Sequence, residues 1–517
     1  MDKKKLVIYT SFPYWPRLET ELEIADFHIN QGYDVLLLSC MGGLVTCPEN
    51  VTHRKLKCLS CTSRLHAGYK WLGKDRATLK RMYCVTREQQ AIIDQLMAQP
   101  FNSWEDLRAI MLDGDDVGEA AFSELVSHFR ETGPELNKKN TIFARRLLEN
   151  AIITHFSILN HLKAENPDRF ILYNGRIAAY RPALRVGVSL GMDTNVFEVL
   201  STYGKYILTR NTYPHNPIAM GRQFRSLYDE STKNEEEKFK IASEWFIRRI
   251  AGDSVSEYIF TQKQKRGYGL EDLKNITKIK VGIFISSEEE LLAIPEHKSP
   301  YYTDQNSAIA KIADDLRNEK IIFIVRAHPH LIGVYNTQVK GLREVCSSRN
   351  NIKYFPPASK VSTYELIDLC DVILVFGSTV GIEAVYKRKP TILMGMAAYR
   401  GFGGTIEPES HEDLVKILKE SADCGYFPKH LIPSDQAMHH AAIMYAFGLH
   451  EFGIMQEYQQ STSFHKIFWI EKDGIRTYIR PHWIYRVTDF LYRIVTIPRR
   501  QYYRFCTKFR MKYGQKI

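Results

Sequence analysis

Several features that would narrow the class of this chain at once are missing. In its 517 residues no uncharged apolar run reaches the roughly 18 residues that a membrane-crossing helix needs. The amino end, Met1-Asp2-Lys3-Lys4-Lys5, leads straight into a strand-like Leu6-Val7-Ile8-Tyr9, without the apolar core of a secretory signal. Nine cysteines at irregular spacing, in a long chain without a signal pattern, favour free thiols over a disulfide framework. No G-x-G-x-x-G follows the first strand, which leaves out the dinucleotide fingerprint. There is no low-complexity tract and no nucleic-acid-binding motif, so no nucleic-acid partner is expected. A cytoplasmic protein is the expectation.

What is present is organised as two α/β units. The chain is too long for one ordinary core. Leu6–Tyr9, a helical stretch from Pro16 to Asn30, Gly32 as its stop, and Tyr33–Leu38 form a βαβ unit, the start of a parallel sheet. Residues 65–165 read as an insertion of charged amphipathic helices. Arg169–Tyr173 resumes the sheet, and Asn195–Leu200 follows as a further strand after a helix around Pro182–Leu190. Residues 226–275 read as a charged helical linker. A second α/β unit, 276–430, then shows strands at Lys280–Ile285, Ile321–Val325, Asn351–Phe355, Asp371–Phe376 and Pro390–Met394. Residues 431–460 supply a helix, Gln436–Phe452, that crosses back to the first unit of 1–225.

The net charge of +11 is carried almost wholly by the end of the chain. From Arg476 onward there are eleven Lys or Arg against Asp489 alone. Tyr478, Trp483, Tyr485, Phe490, Tyr492, Tyr502, Tyr503 and Phe505 are interleaved with them. Basic and aromatic residues along helical stretches describe a segment (461–517) that lies on an anionic membrane surface, at the inner face for a cytoplasmic protein. A docking helix with solvated arginines is the other reading.

The most telling stretch is Asp371-Val-Ile-Leu-Val-Phe-Gly377-Ser378-Thr379, followed by the helical pattern Val380-Gly-Ile-Glu383-Ala. A buried strand, a tight small-residue turn and a helix start let a phosphate approach the backbone. Glu383, one helical turn further on, suits a sugar hydroxyl. The same residues also describe a plain βα turn with a Ser/Thr cap. The other polar candidates share the position of Gly377, Ser378 and Thr379 at carboxyl ends of parallel strands, where open α/β sheets bind ligands. Arg326, His328 and His330 follow one strand, with Pro329 stiffening the loop, and Ser286, Ser287 and Glu290 follow another. Asn174 and Arg176 follow a first-unit strand and could bind acceptor or donor phosphate, although Asn-Gly is also an ordinary turn.

Arg326-Ala-His328-Pro329, the Tyr364-Glu-Leu-Ile helix, Asp371 and Gly377–Ala384 resemble the donor domain of bacterial capsule and lipopolysaccharide polysaccharide transferases. Asn174-Gly175-Arg176 with Arg181 and Glu198 resembles their first domain. The resemblance implies two Rossmann-like domains facing a cleft, the GT-B plan, here with the helical insertion and a basic helical carboxyl-terminal tail. It implies an inverting, metal-independent glycosyltransferase acting on a lipid-linked or polysaccharide acceptor. His328-Pro329 and Ser378-Thr379 would hold the CMP-, UDP- or GDP-linked donor. The Gln-Pro motif of Kdo transferases is not found.

Inversion needs a base for the acceptor hydroxyl, and carboxylates are the usual choice. Glu19, Glu21 and Glu23 open the first helix; Glu21 matches the family's glutamate best, and Glu198 is the second candidate. Cys40, Cys47, Cys58 and Cys61 with His53 cluster in sequence, so a structural zinc at Cys47, Cys58 and Cys61 stands beside a reading as buried thiols. Two rival functions share the architecture: a sugar-nucleotide epimerase, and a non-catalytic scaffold of a polysaccharide assembly complex.

Overall fold

Apolar, β-branched strands flanked by amphipathic helices build two separate sheets. The computed structural model describes residues 3–13, 17–73, 75–200, 205–252 and 264–455, with the backbone of three later strands, Tyr458–Gln460, Phe468–Lys472 and Ile475–Ile479. The first sheet has seven strands in the order Ile454–Met455, Lys205–Arg210, Asp193–Val199, Arg169–Tyr173, Lys5–Thr10, Asp34–Ser39 and Ala77–Arg81. Its last five are mutually parallel, and the first two join antiparallel. Leu6, Val7, Ile8 and Tyr9 are all fully buried, as a central parallel strand covered on both faces requires.

The second sheet is wholly parallel, in the order Thr391–Leu393, Val372–Val375, Ile279–Phe284, Ile321–Arg326 and Ile352–Phe355. Its first strand in sequence is central, so the strand order reverses between Ile279–Phe284 and Val372–Val375. That reversal opens the crevice in which α/β sheets bind ligands. The register pairs Phe284 with both Val375 and Arg326, which brings the loops at 285–287, 327–330 and 376–379 to one edge.

Helices bury the faces of both sheets. The long helix Lys138–Glu165 is capped by Asn137, whose side chain accepts from Asn140 N, and stops at Asn166 in the left-handed conformation. Thr86–Gln89 and Asn234–Glu237 are capping boxes that start the helices Arg87–Ala98 and Glu235–Ala251. Pro217–Asp229 and Glu235–Ala251 pack with Asp435–Phe452 in a core of Phe224, Phe246, Ala442 and Phe447 that also covers one face of the second sheet. Beyond Phe452 the chain adds Ile454–Met455 to the first sheet, beside Lys205–Arg210. The loop after Ile279–Phe284 inserts Ala293 and Ile294 into the first domain's core. Across the same boundary, Ser123 Oγ donates to Ala293 O at 3.2 Å and Asn336 Nδ2 to Arg130 O at 2.8 Å.

The α/β class and the two facing Rossmann-like domains are as expected. Two local expectations change and one strand is added. Residues 65–165 are not purely helical, because Ala77–Arg81 is an edge strand. Only Ala77 of it is buried, and its Lys80 and Arg81 mask the apolar alternation; charge is common on edges because it discourages further pairing. Lys205–Arg210 is a strand that antiparallel pairing adds. Where the tail was expected to be helical, Phe468–Lys472 and Ile475–Ile479 form an antiparallel hairpin. Residues 480–517, which hold most of the basic and aromatic tail, lie outside the described residues.

Candidate active site between the two domains

The first-domain half is assembled by the ends of Arg169–Tyr173 and Asp193–Val199. Asn174 and Gly175 both take positive φ, 62° and 68°, so Asn-Gly is indeed a tight turn. Its side chain nonetheless does more than turn the chain. Asn174 Oδ1 accepts from Arg176 N at 3.1 Å, and Asn174 Nδ2 donates to Glu198 Oε2 at 2.9 Å. The turn therefore fixes both the arginine and the carboxylate. Arg176 Nη1 donates to Ser127 Oγ at 3.0 Å. His215 Nε2 stands 3.8 Å from Glu198 Oε2, and burial lowers its pKa, so it is a neutral imidazole at pH 7.

The second-domain half faces it. Burial pushes the His328 pKa down to about 4, and its Nδ1 accepts from His330 N at 3.1 Å. The proton of this neutral ring therefore sits on Nε2. His330 Nδ1 lies 3.2 Å from Glu290 Oε1. Burial alone would raise the Glu290 carboxyl, but its bond to His330 and the charge of Arg176 hold it below the ordinary value. Arg130 ties the halves together: its Nε lies 3.3 Å from Glu289 Oε1 and its Nη2 donates to His330 O at 3.1 Å. Ser287 is 1% exposed at the end of the central strand, and its hydroxyl has no protein hydrogen-bond partner. Gly377 has φ 133°, and a Cβ there would lie 2.6 Å from Met396 O, so only glycine fits this turn. Thr379 is exposed and makes no capping bond, which leaves its hydroxyl open to a ligand.

Several sequence candidates have other work. Glu21 is 2% exposed beneath the sheet edge, and burial raises its pKa well above the ordinary range. A carboxyl that is neutral and cut off from the cleft cannot take an acceptor proton. Glu19 is equally buried and ion-paired with Arg64. Arg326 is not open to phosphate: Nη1 donates to Pro356 O at 2.6 Å and Nη2 to Ser359 O at 3.2 Å, so it holds the loop 356–359. Ser286 is tied through its backbone, with N donating to Gln305 Oε1 at 2.9 Å and O accepting from Gln338 Nε2 at 2.8 Å. Ser378 Oγ accepts from Val380 N at 3.3 Å, the bond of a cap. Glu383 is engaged by protein. Its Oε1 accepts from Arg249 Nε and Nη2 at 3.1 and 2.9 Å, and its Oε2 from the Tyr364 hydroxyl at 2.8 Å.

The cysteine cluster does not form a zinc site. Among the described residues no group of three or more His, Cys, Asp or Glu is arranged to hold a metal ion. Burial raises the Cys40 and Cys61 thiols and pushes Cys47 up to about 12, as expected of thiols packed in the core.

Arg17, Glu124, Arg130, His215 and His297 were not singled out from sequence. His215 and His297 come together only because the loops after Lys205–Arg210 and Ile279–Phe284 meet, a contact between residues 82 apart in the chain. The flanking Pro214 and Pro217 were the available signal, since two prolines around a histidine mark a stiff loop.

The site and the two sheets define a two-domain α/β protein with a polar cleft between its halves. Residues 297–447 match the family described as Capsule polysaccharide biosynthesis protein, and over this segment the resemblance carried by Arg326–Pro329 and Gly377–Ala384 holds. No curated protein matches the chain. Among solved structures, the chain is similar to the beta Kdo 2,4 transferase KpsC of Thermosulfurimonas dismutans, at 12% identity and TM-score 0.35, covering 63% of this chain and 88% of that one. It is also similar to a glycosyltransferase from Rickettsia africae, at 12% identity and TM-score 0.28, covering 87% and 98%. A UDP-GlcNAc 2-epimerase from Neisseria meningitidis matches at 11% identity and TM-score 0.25, covering 87% and 99%.

Proposed function

We propose that this protein is a glycosyltransferase of capsule polysaccharide biosynthesis. It moves a sugar from a nucleotide-activated donor, bound at the strand ends of the second domain, to an acceptor held by the first. The observation that carries this reading is the cleft itself. Glu198, Arg176 and His215 of one domain face Glu290, His328 and His330 of the other, and the second domain matches a capsule biosynthesis family.

The donor's phosphates meet neutral or cationic donors: the His328 Nε2–H, His330 and the exposed Thr379 hydroxyl, with the unpartnered Ser287 hydroxyl buried just behind them. CMP, UDP and GDP are the candidate carriers. Glu198 takes the acceptor proton. Asn174 holds its Oε2, and its Oε1, which accepts from Val199 N at 3.2 Å, keeps a second lone pair for the hydroxyl, within the short reach that general-base catalysis needs. The acceptor is a growing polysaccharide or its lipid-linked primer, and the basic aromatic tail keeps the enzyme at the anionic inner face of the membrane.

The test is a thermal-shift screen of CMP, UDP and GDP on the full chain, because a ligand that binds only the folded state raises its melting temperature. One of them should raise it in the wild type and fail to do so in His328→Ala. Absence of any shift would overturn the donor site. Donor turnover without an acceptor would mark an epimerase, and nucleotide binding without any turnover a scaffold.

A further inference from the structure

The first-domain wall of the cleft contains a pocket that donor binding leaves unexplained. It has a volume of about 380 Å³, and the residues that matter to it are Phe12, Arg17, Glu124, Tyr173, Asn174 and Arg176. All of its lining comes from the first domain.

Two guanidinium groups line it without a close carboxylate partner. The Arg17 head lies 4.7 Å from the ring centroids of both Phe12 and Tyr173, so aromatic faces position it. The Glu49 carboxylate stands 3.8 Å away, beyond hydrogen-bond length. Arg176 forms no ion pair among the described residues; its bond to Ser127 is to a neutral hydroxyl, and its buried Nε has no hydrogen-bond partner. Burial lowers the pKa of Arg176, and the nearby Glu198 and Glu290 offset this only in part, short of a full counter-charge.

The carboxyl in the pocket wall does not supply that charge. Burial raises Glu124 to about 8, so it is a neutral acid at pH 7, and its Oε2 has no partner. A protonated carboxyl is a hydrogen-bond donor, and it adds to the two arginines rather than opposing them. Leaving a half-buried guanidinium without an ion pair costs free energy that an incoming anion recovers. The planar fork of arginine matches carboxylate and phosphate oxygens in particular.

The pocket adjoins the proposed base through one residue: Asn174 lines it and donates to Glu198. We propose that the pocket binds the carboxylate or phosphate of an anionic acceptor sugar between Arg17 and Arg176, with the reacting hydroxyl turned to Glu198. This rests on the transferase reading and names the class of acceptor that the first domain selects.

The test uses the full chain and three probes, methyl β-glucuronide, glucose 1-phosphate and the neutral methyl β-glucoside, titrated by saturation-transfer NMR. At least one anionic probe should bind, and the neutral glucoside should bind at least tenfold more weakly. Arg176→Gln and Arg17→Gln should each weaken the anionic probe at least tenfold while the nucleotide thermal shift is kept. Arg17 is partly exposed and serves as the second variant if Arg176→Gln does not fold. Equal binding of charged and neutral probes, or anionic binding that survives both substitutions, overturns the proposal. Loss of nucleotide binding in Arg17→Gln would also overturn it, by moving these arginines to the donor phosphates. The donor site is read separately by the nucleotide shift, so either assignment can fail while the other stands.

Discussion

Replacing Glu383 separates a structural from a ligand-binding role for the helix Val380–Tyr386. Its carboxylate is 3% exposed and takes two bonds from Arg249, whose side chain is 29% exposed, and one from Tyr364. Glu383→Ala leaves a mostly buried guanidinium and a buried hydroxyl without their acceptor. Breaking a fully buried pair costs about 3–5 kcal/mol, and water reaching Arg249 reduces this to about 2–3 kcal/mol. For a domain of 150–250 residues each kcal/mol moves the melting temperature by about 2–4 °C, so a drop of about 5–10 °C is expected. Glu383→Gln keeps an acceptor for both partners and should lose less than half as much. The assay is a melting curve of each variant with and without the nucleotide that stabilises the wild type. The reasoning is refuted if Glu383→Ala melts like the wild type yet no longer responds to nucleotide. That result would mean the carboxylate leaves Arg249 to meet the ligand.

Further outcomes follow from the other buried carboxyls and the tail. Glu198→Gln should lower turnover by about 100-fold or more with nucleotide binding kept, whereas Glu21→Gln should stay active, because a buried neutral carboxyl and an amide are alike there; the reverse pattern in a turnover assay would restore Glu21 as base. Glu124 has a folded pKa of about 8 against an ordinary 4.5, so the folded state holds the extra proton and stability falls as pH rises through that window. Glu124→Gln should flatten this decline in denaturant melts between pH 5 and 9, and an unchanged slope would mean that the carboxyl is ionised when folded. Removing residues from Arg476 onward should release the protein from anionic vesicles in a sedimentation assay, since each basic residue near such a surface contributes about 1 kcal/mol; equal binding by both forms would leave the tail as a docking element.

The elements legible in the sequence were those with one dominant signal. Buried parallel strands such as Val372–Val375 and Ile321–Arg326 are continuous apolar runs, and the Ser362 cap marks the start of Thr363–Leu369. Ala77–Arg81 and Lys205–Arg210 were missed because an edge or antiparallel strand is stabilised by its neighbour more than by its own residues. The same limit applies to the site. Strand ends could be located, which placed His328, Ser287, Thr379, Arg176 and Glu198 near ligand. Whether a side chain there is free depends on partners far away in the chain. Arg326 looks like a phosphate ligand until Pro356 and Ser359 claim it, and Glu383 like a sugar ligand until Arg249, 134 positions earlier, does.

One physical distinction sorts the cleft's polar groups. Glu383 and Glu19 have their charge answered by arginines, and both terminal nitrogens of Arg326 are held by backbone carbonyls, so these three hold the scaffold in shape. Ser287, Thr379, Arg176 and Glu198 keep capacity that the protein does not answer, and a folded chain retains unanswered polar groups at a cleft chiefly where something else will answer them. These groups come from both domains, and neither domain alone completes the set. A reaction that joins two substrates, one per domain, uses such a divided site. A scaffold would have no need to leave the Arg176 Nε without a hydrogen-bond partner beside a carboxylate that Asn174 holds in place.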